Sequence, residues 1–116
     1  MVDSETLARS CAAAAADKKA GDIVAMDMRS VSDFTDFFVV CSADSEPQLK
    51  AIASSIREKV REAHGQKPKA EDGFPSSQWI VVDYGDVICH LFLAGKRALY
   101  DLEGLWSDAP RLEVET

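Results

Sequence analysis

The chain has 116 residues, of which 20 are Asp or Glu and 13 are Lys or Arg, so its formal net charge is −7. This length suits one domain that buries about two-thirds of its unfolded surface, and no apolar run approaches the ~20 residues of a membrane-spanning helix. The negative charge repels nucleic acid over most of the surface, so any action near RNA should rely mainly on contact with a protein.

The first 64 residues have the pattern of two helices and two strands. An acid, an alanine run and two closing lysines are typical of a helix, and a helical apolar period follows Ser45, which has capping-box spacing to Gln48. Short, nearly continuous apolar runs indicate buried strands between these helices. The sequence therefore predicts helix 3–19, strands 22–28 and 36–42, and helix 45–64.

Residues 79–93, WIVVDYGDVICHLFL, predict a hairpin that reverses at Tyr84–Gly85. In the expected register Asp83 faces Asp86 and Trp79 faces His90. Because side chains alternate across a strand, the two faces differ. The core face carries Ile80, Val82, Val87, Cys89, Leu91 and Leu93. The second face carries Trp79, Val81, Asp83, Asp86, Ile88, His90 and Phe92.

The remaining elements are short. Residues 67–71 predict an edge strand, Lys96–Trp106 a helix with Leu99, Leu102 and Trp106 on one side, and 111–114 a small strand. We expect one domain over residues 1–107, followed by an acidic tail over 108–116. The fold class is α/β, a mixed β-sheet with flanking helices, in which helix 45–64 crosses between parallel strands.

Cofactor and nucleophile chemistry is not indicated. No glycine-rich loop precedes either long helix, and Cys89 and His90 point to opposite faces of their strand. Three well-separated cysteines, Cys11, Cys41 and Cys89, suit reduced core thiols better than disulfides or metal ligands.

A metal-dependent nucleotidyltransferase-like enzyme is the alternative function, because its layout of helices and strands would be similar. It would need carboxylates from neighbouring strands on one divalent ion, and the available acids are Asp33, Asp36, Asp83 and Asp86. Asp83 and Asp86 flank a turn, however, where acids are common for conformational reasons.

The second face of the hairpin permits two interpretations. Trp79 and His90 could pair beneath a covering helix, with their polar atoms satisfied internally. The same residues, with Asp83 and Asp86, could instead form an exposed aromatic and acidic patch for a basic partner, since aromatic residues are enriched at interface centres.

Four segments resemble one known family, the ribosomal silencing factors, also called Iojap-like proteins. They are DFFVVCSADS with a following Gln, EDG, WIVVDYGDVICHLF, and RxxYDLEGLW. The resemblance extends from the first helix to Trp106. The chain departs from the family pattern in lacking a glycine after Ser42 and in having Cys89 in place of an aliphatic residue.

This resemblance implies a nucleotidyltransferase-like fold without the catalytic motif, no enzymatic activity, and neither a cofactor nor a metal. It implies a cytoplasmic repressor of translation that binds protein fourteen of the large ribosomal subunit and blocks joining of the small subunit when nutrients are limited. A minor contact with ribosomal RNA and a homodimer in the free state are also expected. The implied partner-binding residues are Trp79, Asp83, Tyr84, Asp86 and His90. The absence of a secretory signal in residues 1–10 agrees with the cytoplasmic expectation.

Overall fold

The computed structural model describes residues 2–73 and 78–112. Its elements alternate along the chain as an α/β fold, which confirms the expected class. In chain order they are α1 (Ser4–Asp17), β1 (Gly21–Asp27), β2 (Phe37–Ala43), α2 (Glu46–His64), β3 (Ala70–Asp72), β4 (Trp79–Asp83), β5 (Val87–Leu93), α3 (Lys96–Tyr100), α4 (Leu102–Leu105) and β6 (Arg111–Leu112). Within these ranges no helix has the length and apolar character to cross a membrane.

The strands form one mixed sheet in the order β3-β4-β5-β2-β1-β6. Among the described strands β2 and β5 run parallel, and the other four neighbouring pairs are antiparallel. The parallel pair requires a long connection between its strands, and α2 lies in that connection as expected. The sheet thus has two broad faces, which are covered differently.

Helices α1 and α2 cover the first face. Their apolar sides pack on the inward residues of β2, β4 and β5, which include Ile80, Val82 and Leu91. Ser55 on α2 donates a hydrogen bond to the carbonyl of Ala14 at 2.9 Å, which the small side chains of α1 permit by allowing close approach. This face forms the larger core.

The helix starts confirm the capping signals. Asp3 accepts from the backbone N–H of Thr6 at 2.7 Å, and Ser45 accepts from that of Gln48 at 3.2 Å. The amide of Gln48 also donates to the carbonyls of Lys18 and Lys19, each at 3.0 Å. One side chain therefore joins the end of α1 to the start of α2.

The three cysteines lie within the core on the helix side and are free and buried, as expected for reduced core thiols. Burial raises the pKa of Cys41 to about 12, so its thiol stays protonated. A side-chain hydrogen bond with Cys11, in which the Cys89 thiol is the donor, and then burial raise the pKa of Cys89.

The register predicted for the hairpin is wrong by two residues. Trp79 does not pair with His90, nor Asp83 with Asp86. The observed pairs are Trp79–Phe92, Ile80–Leu91, Val81–His90, Val82–Cys89 and Asp83–Ile88. Because the displacement is an even number, every side chain keeps the face that alternation predicts.

The loop residues explain this displacement. Tyr84 N–H donates to the Val87 carbonyl at 2.9 Å, which leaves Gly85 and Asp86 as the two loop residues. Gly85 has φ of 90°, a left-handed conformation that glycine adopts freely. The expected register would have put Tyr84 first in the loop, where a tyrosine would be strained.

The helix expected over Lys96–Trp106 is two short helices, α3 and α4. Asp101 separates them with φ of 48°, and its carboxylate accepts from the N–H of Gly104 at 3.1 Å to start α4. The predicted apolar side formed by Leu99, Leu102 and Trp106 is therefore broken.

Part of the segment expected as a tail joins the domain. Strand β6 pairs with β1, and Ala109 is buried. Residues 113 and 114 of the strand predicted over 111–114 lie outside the described part of the chain, as do residues 74–77 of the loop before the hairpin.

Candidate functional site

The second face of the sheet forms a cluster of aromatic rings, which we call the aromatic face. It comprises Phe38, Trp79, His90, Phe92, Tyr100 and Trp106. Strands β2, β4 and β5 supply the first four residues by alternation, and the segment after β5 supplies the last two. Met26, Met28, Phe38, Val40, Phe92 and Ala109 form the buried base of this face.

Trp79 lies at the centre of these contacts. Its ring stacks on Phe92 at a centroid distance of 5.1 Å and contacts Tyr100 at 4.5 Å. Its indole N–H donates to Nδ1 of His90 at 3.2 Å. The side chain is only partly buried, so Trp79 both packs on the sheet and remains accessible.

His90 is held as a neutral ring. An indole N–H can only donate, so Nδ1 of His90 accepts and the ring proton resides on Nε2. Burial lowers the pKa of His90 to about 4, against a smaller opposing effect of Asp83, and only 8% of the residue is exposed. The ring also meets Phe38 edge-on at 4.6 Å. His90 thus fixes the Trp79 ring as a neutral hydrogen-bond acceptor and presents no charge to a partner.

Tyr84 does not lie on this face. Tyr84, one of the expected partner-binding residues, is 1% exposed and packs in the core on the helix side, so the surface of this fold does not present its side chain. Burial raises the pKa of its hydroxyl, which stays protonated. Within the residues that the structure describes, that hydroxyl has no hydrogen-bond partner.

The two acids of the hairpin differ in their surroundings. Asp83 accepts from the backbone N–H of Gly85 at 2.7 Å, which is the turn role considered from the sequence. Asp86 is exposed, and its carbonyl accepts from the N–H groups of Asp36 and Phe37 at 2.9 and 3.1 Å. Asp36 and Asp86 therefore lie next to each other just before the parallel strands β2 and β5 begin.

A metal centre finds no support in the part of the chain described. Across residues 2–73 and 78–112, no group of three His, Cys, Asp or Glu residues is arranged to hold an ion. The four acids considered for the enzyme alternative, Asp33, Asp36, Asp83 and Asp86, do not form such a group there.

Several exposed residues around the aromatic face were not singled out from the sequence as site residues. Tyr100 is 48% exposed, and Leu99 and Leu105 are 69% and 72% exposed, all on α3 or α4. Phe34 is also exposed and lies 6.0 Å from Phe38. The sequence carried no signal for them, because a continuous helix over residues 96–106 places Leu99 and Trp106 on one side.

These features define a class: a small mixed α/β domain whose candidate site is an open aromatic surface. The family model "Ribosomal silencing factor during starvation" matches residues 2–116. The ribosomal silencing factor of Bacillus subtilis is 38% identical over 114 residues, which cover 98% of this chain and 96% of that protein. The one from Halalkalibacterium halodurans is 42% identical over 99 residues, or 85% and 84%.

A crystal structure of a Chromobacterium violaceum protein superposes with a TM-score of 0.87 at 30% identity and covers 99% of this chain and 94% of that one. The chain belongs to the ribosomal silencing factor family. The resemblance found in its sequence motifs is thereby confirmed.

Proposed function

We propose that this protein is a ribosomal silencing factor that binds protein fourteen of the large ribosomal subunit. Once bound, it sterically blocks joining of the small subunit and so represses translation under nutrient limitation. The observation that carries this proposal is the family match over residues 2–116. The protein would act as a cytoplasmic binding factor, without catalysis or a cofactor.

The aromatic face is the partner-binding surface in this proposal. Trp79 and Tyr100 form a packed pair with exposed edges, as the central residues of interfaces often do. Asp86 adds an exposed negative charge near the same strands, which suits a basic ribosomal protein. His90 would act indirectly, by orienting the Trp79 ring through the indole hydrogen bond.

We also infer that the free protein forms a homodimer, as the resemblance implies. Leu99 and Leu105 support self-association, because large apolar side chains this exposed are favourable contacts for a second surface. Sedimentation equilibrium at several protein concentrations tests this. A single monomeric mass throughout would contradict it.

The order of addition provides the decisive test of function. Purified subunits are mixed with the protein present before or after they join, and the products are separated on sucrose gradients. We expect protein added first to move with large subunits and to prevent formation of whole ribosomes. Protein added to whole ribosomes should bind poorly.

The matched control is Lys50→Ala, because Lys50 is exposed on α2, on the opposite side of the sheet. This variant should behave like the wild type. Binding to large subunits with undisturbed joining would contradict steric silencing. Equal binding to whole ribosomes and to large subunits would contradict it as well.

A further inference from the structure

The segment after β5 lies on the aromatic face, where Leu102 and Trp106 are only partly buried against it. We call residues 96–106 the cover segment. Neither of its helices, α3 and α4, has a fully buried side chain, and Leu99 and Leu105 point into solvent. The cover segment nevertheless supplies Tyr100, which lies 4.5 Å from Trp79. Its position therefore depends on polar contacts in addition to this partial apolar packing.

Arg97 makes the most extensive set of these contacts. Its Nε and Nη2 donate to the two carboxylate oxygens of Glu103, each at 3.0 Å. Its Nη1 donates to the hydroxyl of Ser42 at 3.0 Å and approaches the carbonyl of Gly21 at 3.5 Å. One guanidinium thus joins α3 to α4, to the end of β2 and to the start of β1.

These contacts cross the bend at Asp101. Arg97 precedes the bend and Glu103 follows it, and the Arg97 carbonyl accepts from the N–H of Asp101 at 2.9 Å. A paired guanidinium and carboxylate fix both distance and plane, so the bend has one geometry while the pair is intact. Tyr100, directly before the bend, is held against Trp79 as a consequence.

We propose that Arg97 is a positioning residue for the partner-binding surface, acting by holding Tyr100 against Trp79. The inference rests on the proposed function only where it concerns partner binding; the contact between Tyr100 and Trp79 does not depend on it. Arg97 itself does not reach a partner, because its side chain is 13% exposed and that of Glu103 is 29% exposed. Lysine cannot replace it, because one ammonium group cannot form the parallel pair with Glu103 and also bind Ser42.

The first test needs no partner. In a Trp106→Phe background Trp79 is the sole tryptophan, so fluorescence reports its surroundings alone. Arg97→Ala should shift the Trp79 emission to longer wavelength, because Tyr100 moves away and water approaches the indole. Arg97→Lys and Glu103→Gln should give smaller shifts. Lys96→Ala, which removes a charge from the same helix, should give none.

The second test is a double-mutant cycle on affinity for isolated ribosomal protein fourteen. Arg97→Ala should weaken binding about tenfold, less than truncation of a central interface aromatic residue such as Trp79 itself. In a Tyr100→Ala background, the same change should weaken binding less than about twofold. Melting temperatures measured in parallel check that every variant is folded under the binding conditions.

The outcomes distinguish the positioning role of Arg97 from the proposed function of the protein. An unchanged Trp79 emission in Arg97→Ala, or an undiminished loss of affinity in the Tyr100→Ala background, would overturn the positioning role. If Arg97→Ala does not fold, Glu103→Gln takes its place in both tests. If the wild type does not bind the ribosomal protein, the proposed function fails, while the fluorescence result still decides the role of Arg97.

Discussion

The wild type should lose stability as the pH falls from neutral to mildly acidic values, and His90→Asn should remove that loss. The folded protein keeps His90 neutral, with a pKa of about 4 against an ordinary 6.5, because burial opposes its charge. Above pH 6.5 the ring is neutral in both folded and unfolded chains. As the pH falls from 6.5 towards 4, the unfolded chain takes up a proton that the folded chain excludes, so the folded state loses stability.

The size of the effect follows from the two pKa values. The shift corresponds to about 3 kcal/mol once the pH is below 4, and to about 2 kcal/mol at pH 5. Asn can still accept from the Trp79 indole, since its side-chain oxygen takes roughly the place of Nδ1, but it does not titrate. The variant should be less stable at pH 7 because it fills less space, yet lose less stability on acidification.

Urea unfolding of both proteins at pH 7, 6 and 5, at one protein concentration, measures this difference. Other groups contribute at low pH: backbone hydrogen bonding from Thr6 lowers the pKa of Asp3, and the Arg29 guanidinium lowers that of Asp27. Both remain in the variant, so the difference between the two proteins isolates His90. Parallel stability curves for wild type and variant would refute the buried neutral ring, as would an NMR titration of His90 near pH 6.5.

Three further predictions test the proposed function, two through its partner and one through the enzyme alternative. Trp79→Ala should weaken binding to large subunits by about 2 kcal/mol or more, roughly thirtyfold, and a thermal melt must show that binding falls further than the fraction folded. Asp86→Lys should slow association, and association of the wild type should depend only mildly on salt. Each RNA phosphate contact would instead add about 0.9 to the logarithmic salt slope. Tight, strongly salt-sensitive binding to naked ribosomal RNA would therefore contradict this prediction. No magnesium-dependent nucleotide transfer is expected, and activity abolished by Asp83→Asn would restore the enzyme alternative.

The alternation of side chains across the strands predicted the two faces of the hairpin correctly, whereas the predicted residue pairs were displaced by two. Which residues share a face depends only on whether their separation is odd or even, so Cys89 in the core and His90 on the aromatic face follow from the sequence. Which residues pair depends on the loop, and there the φ of Gly85 decided between two registers with the same faces. The core was therefore predictable, while the position of Tyr84 was not.

The candidate site was less predictable because it combines the sheet with a segment whose shape its own sequence does not determine. A helical period across residues 96–106 places Leu99 and Trp106 on one side, and nothing in that period signals a left-handed Asp101. The Arg97–Glu103 pair spans that bend, and Arg97 also donates to Ser42, which lies 55 residues earlier. Since Tyr100 depends on those contacts, its approach to Trp79 becomes visible only once the fold is known. Recognition on this surface should accordingly be sensitive to changes at the ends of β1 and β2, away from the aromatic rings themselves.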